Sequence, residues 1–293
     1  MIKGTGVAIV TPFNNNGSID YQSLEKLINH IITGGVDFVV ALGTTSEAVT
    51  LSAAEKEELM RSVLKITDNR VPVIMGVGGN NTEAVVDTLK SNDFTGVSGI
   101  LSVAPYYNKP NQRGIYQHFA EIAKKCPIPI ILYNVPGRTS SNISTETCLR
   151  LANDFENIIA VKEASGDMSQ IMEILRNKPE DFSMLSGDDA LTFPMMTLGA
   201  EGVISVVANT YPKEFSEMVN ILNTREEIEG AKQIHYSLLP FIDLLFADGN
   251  PAGVKASLEQ IGLMENNLRL PMVTVTDEHY NSLQDFVKNY KQP

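Results

Sequence analysis

The stretch Ile158-Ile159-Ala160-Val161-Lys162-Glu163-Ala164 is an apolar, β-branched run, and the helical pattern Met168–Leu175 follows it. A continuous apolar run of this kind is typical of a parallel strand that is buried on both faces. A strand followed by a helix is the repeating unit of α/β folds with parallel sheets. We therefore expect this stretch to be one of several strand–helix units.

Similar apolar runs recur along the chain, and their starts lie about 20–35 residues apart, the length of one strand–helix unit. The other runs are Gly6–Val10, Phe38–Leu42, Val71–Val77, Gly99–Ala104, Ile128–Leu132, Phe182–Leu185 and Val203–Val207. The helical patterns between the runs are Tyr21–Ile32, Ala53–Ile66, Thr82–Lys90, Ile115–Lys125, Ser144–Leu151 and Met168–Leu175. Eight such units close a (β/α)8 TIM barrel of the α/β class, which is the fold we predict.

More helical patterns follow the eighth predicted strand than a minimal barrel needs. These patterns are Phe215–Leu222, Glu226–Phe246, Ala252–Ile261 and Glu278–Tyr290. We therefore expect a catalytic barrel over residues 1–224 and a C-terminal helical extension, packed on the barrel, over residues 225–293.

Charge and composition exclude several classes of partner. The chain has 35 acidic and 23 basic residues and a formal net charge of -12. This charge argues against a nucleic-acid or an anionic-membrane partner, because both need a basic surface. The two cysteines and four histidines lack metal-ligand spacing, no signal peptide is recognisable, and no apolar run reaches membrane-spanning length. We expect a cytoplasmic protein without a metal or another cofactor.

The residues just after the predicted strands differ from those of ordinary surface loops, because they are mainly glycine, hydroxyl residues, tyrosine, lysine and arginine. These segments include Gly43-Thr44-Thr45, Pro105-Tyr106-Tyr107-Asn108, Tyr133-Asn134-Val135-Pro136-Gly137-Arg138, Lys162-Glu163 and Ser186-Gly187-Asp188-Asp189. Barrel enzymes place their active sites at this end of the strands. The pattern favours an enzyme over a scaffold.

Lys162 is the candidate nucleophile. A strand with Ile158, Ala160 and Lys162 on one face places an amine where solvation is poor, and poor solvation favours the neutral, nucleophilic form. The alternative is a lysine that reaches solvent from the strand end or pairs with a carboxylate. Tyr133, at the end of the preceding strand, favours the nucleophile, because its phenol can exchange protons with a reacting group. The alternative for Tyr133 is an aromatic that packs at the barrel rim.

Two further groups suit a carboxylate ligand. Gly43-Thr44-Thr45 offers hydroxyls and backbone N–H groups, and these threonines are not needed as helix caps because Ser52 and Glu55 form a capping box. The Arg138 guanidinium matches a substrate carboxylate, with a surface salt bridge as the alternative.

Two other chemistries are disfavoured. The loop Gly187-Asp188-Asp189 would repel phosphate, and no histidine cluster suits a metal-dependent aldolase. Schiff-base chemistry on a lysine remains.

Several segments taken together resemble the dihydrodipicolinate synthase / N-acetylneuraminate lyase family of class I, pyruvate-dependent aldolases. They are Gly43-Thr44-Thr45, Pro105–Asn108, Tyr133–Thr139, Leu185–Asp189 and Gly202–Ser205. The resemblance extends from Val7–Phe13 to Leu268–Met272. The threonine pair and Arg138 are similar to the branch that condenses pyruvate with L-aspartate 4-semialdehyde in lysine and diaminopimelate biosynthesis. A lyase or aldolase of sialic or sugar-derived 2-keto acids, with the same lysine, is the alternative.

The resemblance implies a role for each site residue. Lys162 forms the Schiff base with pyruvate, and Tyr133 donates and accepts protons. Thr44 links Tyr133 to Tyr107, which the neighbouring subunit of a dimer contributes. Thr45 holds the pyruvate carboxylate.

The resemblance also implies that the backbone at Ile204 faces pyruvate, that Gly187 lines the substrate site and that Arg138 receives the carboxylate of the semialdehyde. It implies a homodimer core that commonly pairs into a tetramer. Ser46 stands where glycine is commoner in the family, which puts the geometry of Thr45 in question. The segment Asn250–Lys255 lacks a second proline that is frequent in the family, and we expect no functional change from it.

Family members that are inhibited by lysine bind it at the dimer interface, around the positions of Asn80 and Tyr106, with a histidine and a glutamate. This chain has Lys56 at the histidine position and Ala84 at the glutamate position, with Glu83 one residue away. A positive charge at Lys56 repels the ligand, and Ala84 lacks the carboxylate that would hold its ammonium group. We therefore expect weak or absent inhibition by lysine.

Overall fold

The protein is described by a computed structural model that covers residues 2–225 and 227–292. Its eight strands pair in chain order, each parallel to its neighbours, and β8 closes the sheet against β1. The strands are β1 Gly4–Ala8, β2 Phe38–Ala41, β3 Val73–Gly76, β4 Gly99–Val103, β5 Ile130–Asn134, β6 Ile158–Glu163, β7 Ser183–Ser186 and β8 Gly202–Ser205. The predicted TIM barrel is confirmed.

Helices follow the strands and continue after β8. They are α1 Tyr21–Thr33, α2 Ala53–Thr67, α3 Thr82–Ser91, α4 Gln112–Lys125, α5 Pro136–Thr139, α6 Thr145–Asp154, α7 Met168–Asn177, α8 Thr192–Thr197, α9 Pro212–Thr224, α10 Ile228–Ala247, α11 Ala252–Gln260 and α12 Asp277–Asn289. Residue 226, with which the predicted helix Glu226–Phe246 begins, lies outside the described residues. The proposed boundary between residues 224 and 225 stays a prediction.

Many helices begin at a side chain that accepts hydrogen bonds from backbone N–H groups of the first turn. These capping residues are Asp20, Ser52, Asn81, Asn111, Ser144, Asp167 and Thr276. The predicted capping box is confirmed, because Ser52 accepts from the Glu55 N–H and the Glu55 carboxylate accepts from the Ser52 N–H. Thr44 and Thr45 are therefore free of any capping role for α2.

The barrel interior is filled by residues that alternate along the strands, as the two-residue period of a strand requires. This inner cluster includes Ala8, Phe38, Val40, Ile74, Leu101, Ile131, Tyr133, Ala160, Leu185 and Ile204. A second, larger cluster lies between the sheet and the helices. Tyr133 and Ile204 therefore face the inside of the barrel.

One feature of β6 corrects the prediction. The register shifts between Ile130 and Ile131 of β5, where Ile130 pairs with Ile158 and Ile131 pairs with Ala160. Such a bulge puts two residues of one strand opposite one residue of its partner, so the alternation of sides is interrupted. Ile158 consequently packs in the outer cluster, and the prediction that it shares a face with Lys162 is wrong. Ala160 and Lys162 keep their shared inner face.

The C-terminal extension is tied to the barrel by an aromatic cluster and a buried helix. Tyr211, which follows β8, packs against Phe241 of α10, against Phe286 of α12 and against Tyr290, the residue that follows α12. Helix α11 is buried over Ala252–Leu258. Within the described part of the chain, no helix is long and apolar enough to cross a membrane.

Candidate active site

Lys162 and Tyr133 lie side by side inside the barrel, at the C-terminal ends of β6 and β5. Their Cα atoms are partners in the sheet, and Lys162 Nζ lies 4.4 Å from the centre of the Tyr133 ring. Lys162 is only 5% exposed. It takes part in no salt bridge within residues 2–225 and 227–292. The amine is therefore buried beside a phenol and without a carboxylate counter-ion.

Gly187 provides the space in which the Lys162 side chain lies. A Cβ atom at this position would stand 3.0 Å from Lys162 Cε, 3.1 Å from Lys162 Cγ and 2.8 Å from Ala164 Cβ. Contacts this short require the lysine chain to move, because the interior is close-packed. The structure thus brings Gly187 against Lys162, as a site residue should be.

Thr45 is 3% exposed, and its hydroxyl accepts a hydrogen bond of 2.9 Å from Nδ2 of Asn250. The next residue, Ser46, has no left-handed φ and so does not need the freedom of a glycine. Its hydroxyl donates to the Ile9 carbonyl, and its own carbonyl accepts from the Thr11 hydroxyl. Ser46 therefore ties the loop after β2 to the end of β1.

Three other predicted residues, Thr44, Arg138 and Tyr107, are exposed, whereas Tyr133 is buried. Thr44, Tyr133 and Arg138 line one cleft of about 1380 Å³, which includes the C-terminal mouth of the barrel and continues along α2 and α3. Tyr107 is 88% exposed and adopts a left-handed backbone with φ of 73°, which is strained for an aromatic residue. It makes no hydrogen bond to Thr44 or Tyr133 among the described residues. Within one chain, therefore, Tyr107 does not complete the predicted relay.

Ile204 lies on β8 inside the barrel, and it is fully buried in the same inner cluster as Tyr133. Lys162 and Thr45, which are also buried, do not line the large cleft. Among the described residues, no group of three or more His, Cys, Asp or Glu side chains is arranged to hold a metal ion. The site thus combines a buried amine, a phenol, hydroxyls and a guanidinium.

The model of the family described as "Dihydrodipicolinate synthetase family" matches residues 1–290. This chain belongs to that family. Over 285 residues it is 51% identical to the 4-hydroxy-tetrahydrodipicolinate synthase of Flavobacterium psychrophilum, and the match covers 97% of each chain.

Solved structures agree with this family assignment. A chloride-inhibited dihydrodipicolinate synthase from Acinetobacter baumannii, complexed with pyruvate, is 38% identical with a TM-score of 0.94, and the match covers 98% of each chain. A monomeric dihydrodipicolinate synthase variant is 39% identical with a TM-score of 0.95, and the match covers 98% of this chain and 96% of that one. The predicted resemblance is confirmed over the whole barrel and the extension.

A second buried lysine, Lys255, lies near the site and was not predicted as part of it. Lys255 on α11 is 0% exposed, and its Nζ lies 2.5 Å from Glu47 Oε1 and donates to the Asn267 carbonyl at 2.8 Å. Burial lowers the pKa of Lys255 to about 8, although the Glu47 carboxylate opposes the shift. The sequence contains a signal for Lys255, because it stands among Ala252, Gly253, Val254 and Ala256, but it lies in a helical pattern and not in a strand.

Buried carboxylates hold the strand ends around the barrel mouth. Burial raises the pKa of Glu163, which accepts hydrogen bonds from Asn134 Nδ2, the Ser165 N–H and Gln170 Nε2. Because Asn134 follows Tyr133 and Glu163 follows Lys162, this contact fixes the two catalytic candidates relative to each other. The contacts of the Glu163 carboxylate were not predicted from the sequence.

Asp189 acts in the same way between β7 and β8. Burial raises its pKa to about 6, while the Ser205 hydroxyl and the N–H groups of Val206 and Val207 stabilise the charged form. Asp189 is buried and points into the fold, and the repulsion of phosphate by this loop stays a prediction. It secures the loop that carries Gly187 against the strand that carries Ile204.

Proposed function

We propose that the chain is a lyase that condenses pyruvate with L-aspartate 4-semialdehyde to 4-hydroxy-tetrahydrodipicolinate, through a Schiff base on Lys162. The observation that carries the proposal is the buried Lys162 amine, which stands against Tyr133 and lacks a carboxylate counter-ion. The name of the Flavobacterium relative and the pyruvate complex of the Acinetobacter relative support the choice of reaction and first substrate.

The chemistry starts at the keto carbon of pyruvate. The neutral Lys162 amine adds to this carbon, the carbonyl oxygen takes up a proton, and loss of that oxygen as water leaves a protonated imine. Loss of a methyl proton then gives an enamine, and its terminal carbon attacks the aldehyde carbon of the second substrate. Tyr133 supplies and removes the protons, because its ring is in contact with the Lys162 amine. The aldehyde oxygen takes up a proton and becomes the hydroxyl group. The amino group of the semialdehyde then attacks the imine carbon, which closes the ring and releases the Lys162 amine, so that the steps balance without a cofactor.

Carboxylate recognition is divided between two places. We assign the pyruvate carboxylate to the Thr45 hydroxyl and the backbone at Ile204, and we place Gly187 in the lining of the site beside Lys162. Support comes from the burial of Thr45 and Ile204 and from the contact between Gly187 and Lys162. We assign the carboxylate of the semialdehyde to Arg138, since its guanidinium lies in the same cleft as Tyr133.

We propose further that Tyr107 of the partner subunit reaches Thr44 and completes a proton relay to Tyr133. An exposed tyrosine with a strained backbone supports this role, because strain of this kind concentrates at functional positions. The assembly would be a homodimer, commonly paired into a tetramer. Analytical ultracentrifugation combined with activity tests it, and a fully active monomer would remove the role of Tyr107.

The substrate assignment is tested by a coupled assay that offers pyruvate with either L-aspartate 4-semialdehyde or N-acetylmannosamine. We expect turnover of the semialdehyde, because Arg138 suits an aldehyde that carries its own carboxylate. The Arg138→Leu variant should raise KM for the semialdehyde and leave KM for pyruvate unchanged. A preference for the sugar would instead identify a lyase of sialic or sugar-derived keto acids that uses the same Lys162.

The enzyme should serve lysine and diaminopimelate biosynthesis in the cytoplasm, with residues 1–224 as the catalytic barrel and residues 225–293 as a helical extension. This division is supported by the closed barrel that ends at β8 and by α9, which ends at Thr224. The extension contributes Asn250 to the neighbourhood of Thr45. The two parts are therefore expected to act together rather than as independent units.

Inhibition by lysine should be weak or absent. Lys56 and Ala84 line the same cleft as Asn80 and Tyr106, whereas Glu83 does not line it. Loss of one charge-assisted contact costs roughly 1.5–3 kcal/mol, which is at least tenfold in affinity. Titration of activity with L-lysine tests this prediction, and the double variant Lys56→His/Ala84→Glu should be more sensitive. Strong inhibition of the wild type at sub-millimolar lysine would show that the prediction is wrong.

A further inference from the structure

The C-terminal extension contacts the loop that carries Thr45. Asn250 lies between α10 and α11 and is 6% exposed, and its Nδ2 is 2.9 Å from Thr45 Oγ1. The two residues are 205 positions apart in the chain. The side chain that we assign to the pyruvate carboxylate is thus held by a residue outside the eight-stranded barrel.

The direction of this hydrogen bond decides what Thr45 can do. A threonine hydroxyl has one hydrogen to donate and two lone pairs that accept. Because the Asn250 amide donates to one lone pair, the Thr45 hydrogen stays available for another acceptor. A substrate carboxylate is such an acceptor, and a hydrogen bond to a charged group is stronger than one between neutral groups.

The loop itself needs support from outside. Leu42 and Glu47, which flank it, both have left-handed backbones with φ of 58° and 53°. Such conformations cost free energy for residues other than glycine, and they persist where surrounding contacts hold them. The Lys255 amine pairs with the Glu47 carboxylate, and the Arg269 N–H donates to it at 3.0 Å. Both groups follow Asn250 in the C-terminal extension.

We propose that Asn250 is a positioning residue, which directs the Thr45 hydroxyl toward the carboxylate of pyruvate, while the Glu47–Lys255 ion pair keeps the Thr45 loop in place. The inference rests on the proposed function, in which Thr45 binds that carboxylate. The C-terminal extension is then part of the machinery that recognises the first substrate, although it does not touch the substrate itself.

Steady-state kinetics of Asn250→Ala, Thr45→Val and the double variant test the proposal. Asn250→Ala should raise KM for pyruvate about tenfold, the effect of one lost hydrogen bond, with kcat and KM for the aldehyde little changed. If Asn250 acts through Thr45, the double variant should be no worse than Thr45→Val, so the two effects are not additive. Gln260→Ala, which removes an amide contact to the Tyr280 carbonyl within the extension, is the matched control and should leave KM for pyruvate unchanged.

Asn250→Asp separates orientation from packing. The aspartate keeps the size of the side chain but accepts the Thr45 hydrogen, so it should raise KM for pyruvate more than Asn250→Ala does. It also provides a variant of nearly native shape if the alanine variant does not fold. Thermal unfolding of every variant identifies a general loss of structure.

Reduction of the wild type with borohydride in the presence of pyruvate distinguishes a failure of the proposed function from a failure of the positioning role. If the wild type forms no adduct, the proposed function itself fails. If the wild type is trapped but KM for pyruvate is unchanged in both Asn250 variants, the positioning role is overturned. Additive effects in the double variant, or equal increases in KM for both substrates, would overturn it as well.

Discussion

Lys162 on β6 and Lys255 on α11 are both buried lysines, but their surroundings differ in one respect. Lys255 is paired with the Glu47 carboxylate and also donates to the Asn267 carbonyl. Lys162 has the ring of Tyr133 beside it and no salt-bridge partner among the described residues. Both amines are buried, so the missing counter-ion is the feature that distinguishes Lys162, the proposed nucleophile, from Lys255.

The neighbours of the two amines lead to the same conclusion. Lys255 lies over the face of Phe13, and the Arg269 guanidinium also lies over that ring. Lys162 stands next to Tyr133, which lines the open cleft at the barrel mouth. A substrate that enters this cleft is therefore close to Lys162, whereas Lys255 is enclosed by side chains that stabilise the fold.

The largest expected effect is the loss of activity in Lys162→Met. Without the amine no Schiff base forms, and kcat should fall by at least about a thousandfold. The fold should keep its stability, because methionine replaces an unpaired buried amine with an apolar chain of similar length. Steady-state assays and urea unfolding test both parts. Activity within tenfold of the wild type would exclude covalent catalysis by Lys162.

Lys255→Met should have the opposite profile, with a smaller direct effect on chemistry and a large effect on stability. Its loss leaves the Glu47 carboxylate buried and unpaired, which costs about 3–5 kcal/mol in the free energy of unfolding. The double variant Lys255→Met/Glu47→Leu should recover much of this loss. Equal stability of the single and the double variant in urea unfolding would contradict the role of the ion pair.

A smaller effect concerns pH. Burial lowers the pKa of Lys255 from 10.5 to about 8, so between these pH values the unfolded chain holds a proton that the folded chain has released. Unfolding then takes up a proton, and the free energy of unfolding rises with pH by at most about 1.4 kcal/mol per unit. Below pH 8 both states are protonated and Lys255 adds no slope. The free energy of unfolding of the wild type minus that of Lys255→Met should rise with this slope between pH 8 and 10.5. A difference that stays flat or falls with pH would contradict the prediction.

The fold could be predicted because parallel strands buried on both faces produce apolar runs, and all eight strands overlap the predicted runs. The predicted end of β5 was too early, since strand pairing continues through polar residues as far as Asn134. Helix α8, Thr192–Thr197, was missed because six residues carry no clear amphipathic period. The bulge that turns Ile158 outward has no local sequence signal.

The candidate site residues that could be predicted are those that a local sequence pattern marks. Lys162 and Tyr133 stand out because each is a polar residue at the end of an apolar strand. Asn250 and Lys255 were missed, because their partners Thr45 and Glu47 lie more than 200 residues away in the chain and only the folded barrel brings them together. The expectation that the missing second proline in Asn250–Lys255 causes no functional change stays a prediction, and the further inference adds a role for Asn250 itself.

The central claim is that Lys162, rather than Lys255, forms the covalent bond with pyruvate. The most direct measurement is incubation with pyruvate and sodium borohydride, followed by digestion and mass spectrometry of the lysine-containing peptides. The account predicts a reduced pyruvate adduct on Lys162 and an unmodified Lys255. An adduct on Lys255 or another lysine, or no adduct at all, would contradict it.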